Sequence, residues 1–269
     1  MLETFELWIR DSLTQSLLLS PLMGAIFGLV FSGLTRGNRE GGQASVRETV
    51  IIIRERIVVR ERAQSNGTQS NDDPMGILIV LFAAMVISIY LYSVYAEDVI
   101  YYSSIVTFNV LTFGFSALVF SAVKGRLNSA DWFAYTFIPI GILSFSLILL
   151  YQAKSGILPG AKEAAESAGA FKFYFEVLDN DQRNWVIPQL FGLLGTVAFL
   201  FFSSVLVIHN LASLQVTYDG FMRPFWRSIY ILTHAFSGKF IWFILAALGM
   251  FTYLALDGTA YQYLGARNG

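Results

Sequence analysis

Few side chains in this sequence are suited to catalysis or to metal binding. Histidine occurs only at His209 and His234, and there is no Cys to supply a thiolate ligand, a nucleophile or a disulfide. Both lie near the predicted inner face, and two imidazoles without a third ligand at metal spacing fit ordinary interfacial residues better than a zinc site. The sequence has no phosphate-binding glycine loop, no GxSxG or HExxH motif and no paired carboxylates inside an apolar run. We therefore expect neither an enzyme active site nor a cofactor.

The composition places most of the chain in a lipid bilayer. Of the 269 residues, 55% are hydrophobic and only 14% are charged, whereas soluble domains carry about 25% charged residues. The mean hydropathy is +0.57. A net charge of −1 gives no basic excess for direct binding of nucleic acid. The polar residues deepest in the apolar runs are Asn109 and Gln189, which helix–helix hydrogen bonds explain. No ionisable residue occupies the middle of a run, which disfavours an ion-coupled carrier.

Six apolar runs are long enough to approach the roughly 20 residues that a membrane-spanning helix needs. They cover Leu13–Leu34, Met75–Tyr95, Val99–Val123, Trp132–Tyr151, Val186–Ile208 and Phe240–Leu256. Only Ala96-Glu97-Asp98 separates the second run from the third, which predicts a tight acidic turn in a helical hairpin. The predicted fold class is an all-α polytopic membrane protein with about six transmembrane helices. To these we add a short β-branched cytoplasmic arm, assembled between subunits.

The charges of the loops predict which side of the membrane each segment occupies, because cytoplasmic loops are enriched in Lys and Arg. Residues 1–34 contain the N-terminal segment and first span, 35–74 a cytoplasmic arm with a polar tether, and 75–153 spans two to four. Residues 154–185 form an extracytoplasmic segment, and 186–269 hold spans five and six with an inner interfacial segment. The alternation predicts a bacterial inner membrane protein with both termini outside and 35–74 inside.

A stripe of small residues follows one face of the first run. Its members recur every four residues and are Ser16, Ser20, Gly24, Gly28 and Ser32. Lipid supplies no hydrophobic drive between helices, so small residues that allow close backbone approach are a main source of association. The stripe therefore predicts a packing face, either against a helix of the same chain or between subunits.

The arm between Arg47 and Arg62 is the most distinctive segment. All seven apolar residues from Val50 to Val59 are β-branched, which favours a strand. Alternation then places Ile51, Ile53, Ile57 and Val59 on one face, with Arg54, Arg56, Arg60 and Arg62 largely on the other. A coiled coil through Val46, Val50, Ile53 and Ile57 is the alternative. In both structures the apolar face needs partners, so we expect it to assemble with other subunits or with a soluble protein.

Two further loops carry interpretable patterns. Residues 160–168 are typical of a helix, and the aromatic run 171–178 is typical of an interfacial or re-entrant element, or of a cover over the outer mouth of an assembly. Arg223 and Arg227, four residues apart around Phe225 and Trp226, predict an amphipathic helix at the inner interface. We expect this helix to contact lipid or a soluble partner.

These features favour a non-enzymatic, homo-oligomeric scaffold or sensor that presents its arm to a soluble cytosolic effector. In design, though not in any diagnostic motif, the chain resembles the membrane subunits of bacterial anti-phage systems such as Kiwa, in which a membrane component signals to a cytosolic effector. The alternative function is a pore or channel. A lipid-modifying or lipid-moving protein ranks below both, because the sequence offers no nucleophile or metal constellation for it.

Overall fold

The computed structural model describes residues 74–123, 130–216, 222–236 and 238–266, together with the single helical residue Ile26. Within these ranges the chain is helical apart from short turns and contains no strand. Three of the described helices are long and apolar enough to cross a membrane, and a shorter apolar helix accompanies them. This architecture is compatible with an integral membrane protein. Six spans are not confirmed, because the first predicted span, apart from Ile26, and the arm lie outside the described residues.

Helix α1 (Pro74–Val123) is one continuous helix of 50 residues, about 75 Å long at 1.5 Å per residue. The predicted hairpin with a turn at Ala96-Glu97-Asp98 is therefore wrong. The stretch from 77 to 113 contains no Gly or Pro to interrupt the helix. Glu97 and Asp98 are exposed on the helix surface, so neither carboxylate has to leave the helix to remain solvated.

Helices α2 (Ala130–Ser155) and α5 (Asn180–Val216) pack beside the second half of α1. Helix α7 (Lys239–Leu256) packs mainly on α5 and is about 27 Å long, close to the roughly 30 Å of a bilayer core. The predicted runs Trp132–Tyr151, Val186–Ile208 and Phe240–Leu256 fall inside these three helices. Exposed side chains on α7 such as Phe240, Phe243 and Met250 are apolar, as a lipid-facing surface requires.

Glycines allow α5 and α7 to approach closely. A Cβ built on Gly192 would lie 2.5 Å from Leu256 Cδ2, and one on Gly195 would meet the hydroxyl of Thr252. The sequence predicted close packing through small residues in the first apolar run, and these small residues lie outside the described residues. Among the described helices, close packing through glycine joins α5 to α7. The close approach also brings Gln189 of α5 within hydrogen-bond distance of the Leu256 carbonyl of α7.

Short elements form a cap over the end of the bundle at which α2 finishes, here called the cap end. Helix α3 (Ala161–Ala168) confirms the helix predicted for 160–168, and the short α4 (Ala170–Lys172) leads into a π-helical turn, Phe173–Val177. These elements pack on α1, where Phe82 contacts Tyr174 with ring centroids 6.2 Å apart. Helix α8 (Thr259–Ala266) joins the cap through Tyr261, whose ring lies 5.5 Å from Trp185.

The uninterrupted path of α1 changes the relative placement of several segments. The chain enters α1 beyond the cap end and leaves it at the opposite end, here called the far end, where Gln215 donates to Ser121 Oγ over 3.4 Å. The start of α1, the cap and α8 therefore share one end of the bundle. The sequence prediction put 35–74 on the opposite side of the membrane from 154–185 and from the C-terminus, and the described residues do not show which side of a membrane either end of the bundle faces.

Candidate membrane-interface site

The far end of the bundle holds the predicted site residues that the structure describes, Arg223 and Arg227. Both lie on α6 (Arg223–Thr233), which runs back along the last turns of α5 and continues as a 3₁₀ turn, His234–Phe236. Trp226 and Tyr230 are buried and contribute, with Ala212 of α5, to a small core of their own. The amphipathic helix predicted here is therefore present, anchored by aromatic side chains on one face.

Buried polar side chains fasten α6 to α5. Thr233 donates its hydroxyl to the carbonyl of Ile229 at 2.8 Å, so its oxygen is left to accept from His209 Nδ1 at 2.9 Å. The ring of Tyr230 stacks on His209 with centroids 4.7 Å apart, and His234 lies 6.2 Å from His209. His209 is almost fully buried. Both histidines thus belong to an aromatic packing cluster, and His209 is more deeply buried than its interfacial sequence position indicated.

The same end of α5 is tied to α2. Asn210 donates to the backbone carbonyl of Tyr135 at 2.8 Å and is itself buried. Nothing in the sequence pattern distinguished Asn210 from other polar residues, because its partner is a carbonyl 75 residues away. This hydrogen bond stabilises the contact between α5 and α2, because in an apolar environment no water would replace it if it were broken.

The outward face of α6 combines cationic and apolar side chains. Arg223 and Arg227 are exposed on α6. Phe225, Ile231 and Leu232 are exposed on the same helix, Leu232 by 78%. The helix rise places Arg227 about 7.5 Å farther from the bundle centre than Leu232. Apolar residues nearer the hydrocarbon and arginines nearer the headgroups form the order that a membrane interface requires.

The side-chain amide groups of the deeper polar residues of the spans donate to backbone carbonyls. Asn109 donates to Ile105 of its own helix at 2.8 Å, whereas a helix–helix bond was predicted for it. Gln189 makes the predicted helix–helix bond, from Nε2 to the carbonyl of Leu256 at 3.1 Å. In the described ranges no group of three or more His, Asp or Glu residues is placed to hold a metal ion.

The other predicted site residues lie outside the described residues. These are the stripe Ser16, Ser20, Gly24, Gly28 and Ser32, the apolar arm residues Val50, Ile51, Ile53, Ile57 and Val59, and the arginines Arg47, Arg54, Arg56, Arg60 and Arg62. Their roles stay predictions.

The fold and the far-end site define a helical protein compatible with integral membrane insertion. Comparison with protein-family models, with curated proteins and with solved structures found no match to this chain.

Proposed function

We propose that this protein is a non-enzymatic, homo-oligomeric membrane scaffold or sensor that presents residues 47–62 to a soluble partner. A role as the membrane subunit of a bacterial anti-phage system, in a bacterial inner membrane, is the particular form of this proposal. The support comes from α1, which extends past the end of α2 and is the described helix that follows the arm in the chain.

The observation that carries the proposal is an apolar ridge on the first half of α1. Val80, Ala84, Ile87 and Leu91 are all exposed and are spaced four, three and four residues apart. This is the spacing of a helix–helix seam in which side chains of one helix fit between those of another. Residues before Glu97 extend about 35 Å past the end of α2, farther than α2 can cover. A second copy of α1 is the partner that this ridge fits.

The arm is proposed to lie on the cytoplasmic side together with the cap. The chain enters α1 from the cap end, so the basic residues of 36–62 count together with those of 154–185 and of the C-terminus. If residues 13–34 cross the membrane once, this side holds 12 of the 18 Lys and Arg residues. Because cytoplasmic segments are enriched in these residues, the cap end is the cytoplasmic end in this proposal. The N-terminus would then lie outside and the C-terminus inside.

The subunit number of the full-length protein in a mild detergent tests the ridge. Wild type is expected to be oligomeric by light scattering, and a variant with Val80→Asn and Ile87→Asn is expected to lose subunits. Ile231→Asn with Leu232→Asn is the matched control, since these residues are 50% and 78% exposed, at least as much as Ile87 at 45% and Val80 at 67%, but lie on α6. A monomeric wild type, or a ridge variant with the wild-type subunit number, would contradict the oligomer.

Deletion of residues 45–63 tests the arm separately. The deleted protein is expected to reach the membrane and to keep its helical content, while losing a soluble protein that co-purifies with wild type. An unchanged set of co-purifying proteins would contradict the proposed role of the arm. The pore alternative has no specific support in the described bundle, because Asn109 and Gln189 both donate to backbone carbonyls.

A further inference from the structure

A cavity of about 240 Å³ lies at the cap end, where α1, the end of α2 and the start of α3 meet. Ser93 and Glu97 line it from α1, Lys154 from α2, and Lys162 and Glu163 from the first turn of α3. The cavity is smaller than the roughly 300–1,000 Å³ of sites for drug-sized molecules. It therefore suits a ligand of a few heavy atoms or the end group of a larger one.

The ionisable groups around this cavity are balanced but not paired with each other. Two lysines face it and two glutamates face it, so the lining carries no net charge. Among the described cap residues, Lys172 and Glu176 form an ion pair at 3.9 Å. Neither of these residues lines the cavity. Four charges brought to one cavity from three helices, without bonds between opposite signs, leave both signs available to a ligand.

The remaining polar groups favour the same kind of ligand. Ser93 donates its hydroxyl to the carbonyl of Ile89 at 3.0 Å, so its oxygen is oriented as an acceptor. Gly160, the residue before α3, has φ of 73° and supplies no side-chain cap, so the first amide groups of α3 add partial positive charge beside Lys162. A lone anion would face Glu97 and Glu163, and a lone cation would face the two lysines.

We infer that this cavity binds a small zwitterion, a primary ammonium joined to a phosphate by a short linker. The lysines hold the phosphate and the glutamates hold the ammonium through charge-assisted hydrogen bonds. The group is the phosphoethanolamine unit, which reaches the cavity from a phosphatidylethanolamine headgroup or from a water-soluble ester. The inference goes beyond the scaffold function, because it requires neither the arm nor a second subunit.

Two binding measurements on the full-length protein distinguish the sources. In the first, calorimetry follows the titration of glycerophosphoethanolamine into protein held in phosphatidylglycerol nanodiscs. In the second, native mass spectrometry counts phosphatidylethanolamine molecules bound to detergent-solubilised protein. Saturable binding in either measurement supports the site, and the measurement that detects it identifies the source of the ligand. The choline analogue is expected to bind at least tenfold more weakly, because its quaternary ammonium has no N–H to donate to Glu97.

Variants of the lining residues complete the test. Lys154→Gln and Glu97→Gln are each expected to weaken binding at least tenfold, since each removes one charged contact. Lys172→Gln and Glu176→Gln are the matched controls in the same cap and are expected to stay within twofold of wild type. Both pocket side chains lie at the surface, so neither change disturbs the core. Absence of saturable binding in both measurements, or wild-type affinity in both pocket variants, overturns the inference.

Discussion

The continuity of α1 can be measured with a pair of spin labels placed on either side of Glu97. The chain contains no Cys, so labels attach only where Cys is introduced. Ile87→Cys and Val106→Cys are suitable, because the two side chains are 45% and 48% exposed. In one uninterrupted helix their Cα atoms lie 19 residues apart along the axis, which is about 28 Å. In a hairpin that turns at 96–98 the same residues face each other at a helix spacing of about 8–10 Å.

Double electron–electron resonance on the doubly labelled protein in nanodiscs is expected to give one main distance near the roughly 28 Å of the continuous helix. Each single-Cys variant is the control for distances between subunits, and dilution with unlabelled protein removes those contributions. A short distance would broaden the continuous-wave spectrum of the double variant beyond those of the single variants. That outcome would refute the continuous helix, the shared placement of the arm and the cap, and the cavity beside Glu97.

The packing contacts of α5 lead to further predictions, measured as unfolding free energies in mixed detergent micelles. Gly195→Ala is expected to destabilise by about 1–2 kcal/mol, because overpacking against Thr252 exceeds the gain in helix propensity. Gly141→Ala, whose Cβ would meet nothing within 4 Å, is expected to be neutral or stabilising, and Thr252→Ala is expected to rescue Gly195→Ala. Equal stability of the Gly195 and Gly141 variants would contradict the contact. Asn210→Ala is expected to cost about 0.5–1.5 kcal/mol by removing the bond to Tyr135, and no loss would contradict that bond.

The sequence predicted the helical architecture and the extent of three apolar helices, which are compatible with a membrane protein, because both depend on local composition. Trp132–Tyr151 and Val186–Ile208 lie within α2 and α5, where hydropathy is sufficient to locate a helix. The error at Ala96-Glu97-Asp98 came from treating two charges as the end of a span. Charge marks where a helix leaves lipid, whereas only a backbone interruption marks where it ends, and α1 leaves the bundle without ending.

The partners of polar residues were beyond the reach of sequence patterns. Asn109 and Gln189 had the same expected role, yet one bonds within its own helix and the other bonds across to α7. The difference depends on how each helix is rotated relative to its neighbours, which the packing of Gly195 on Thr252 helps to set. The cavity at the cap end was missed for the same reason, because its four charges come from segments that are up to 66 residues apart.

The position of Glu97 connects the proposed ligand site with the proposed arm. Glu97 lies on α1 between the part that packs on α2 and the part that packs on the cap, and the lysines opposite belong to α2 and α3. A ligand that binds Glu97 on α1 and the lysines on α2 and α3 at the same time stabilises the packing of α1 against the cap. If the partner of the arm favours one placement of α1 against the cap, thermodynamic linkage requires that ligand and partner change each other's affinity by the same factor. A partner indifferent to that placement would leave the two sites uncoupled, however tightly each binds.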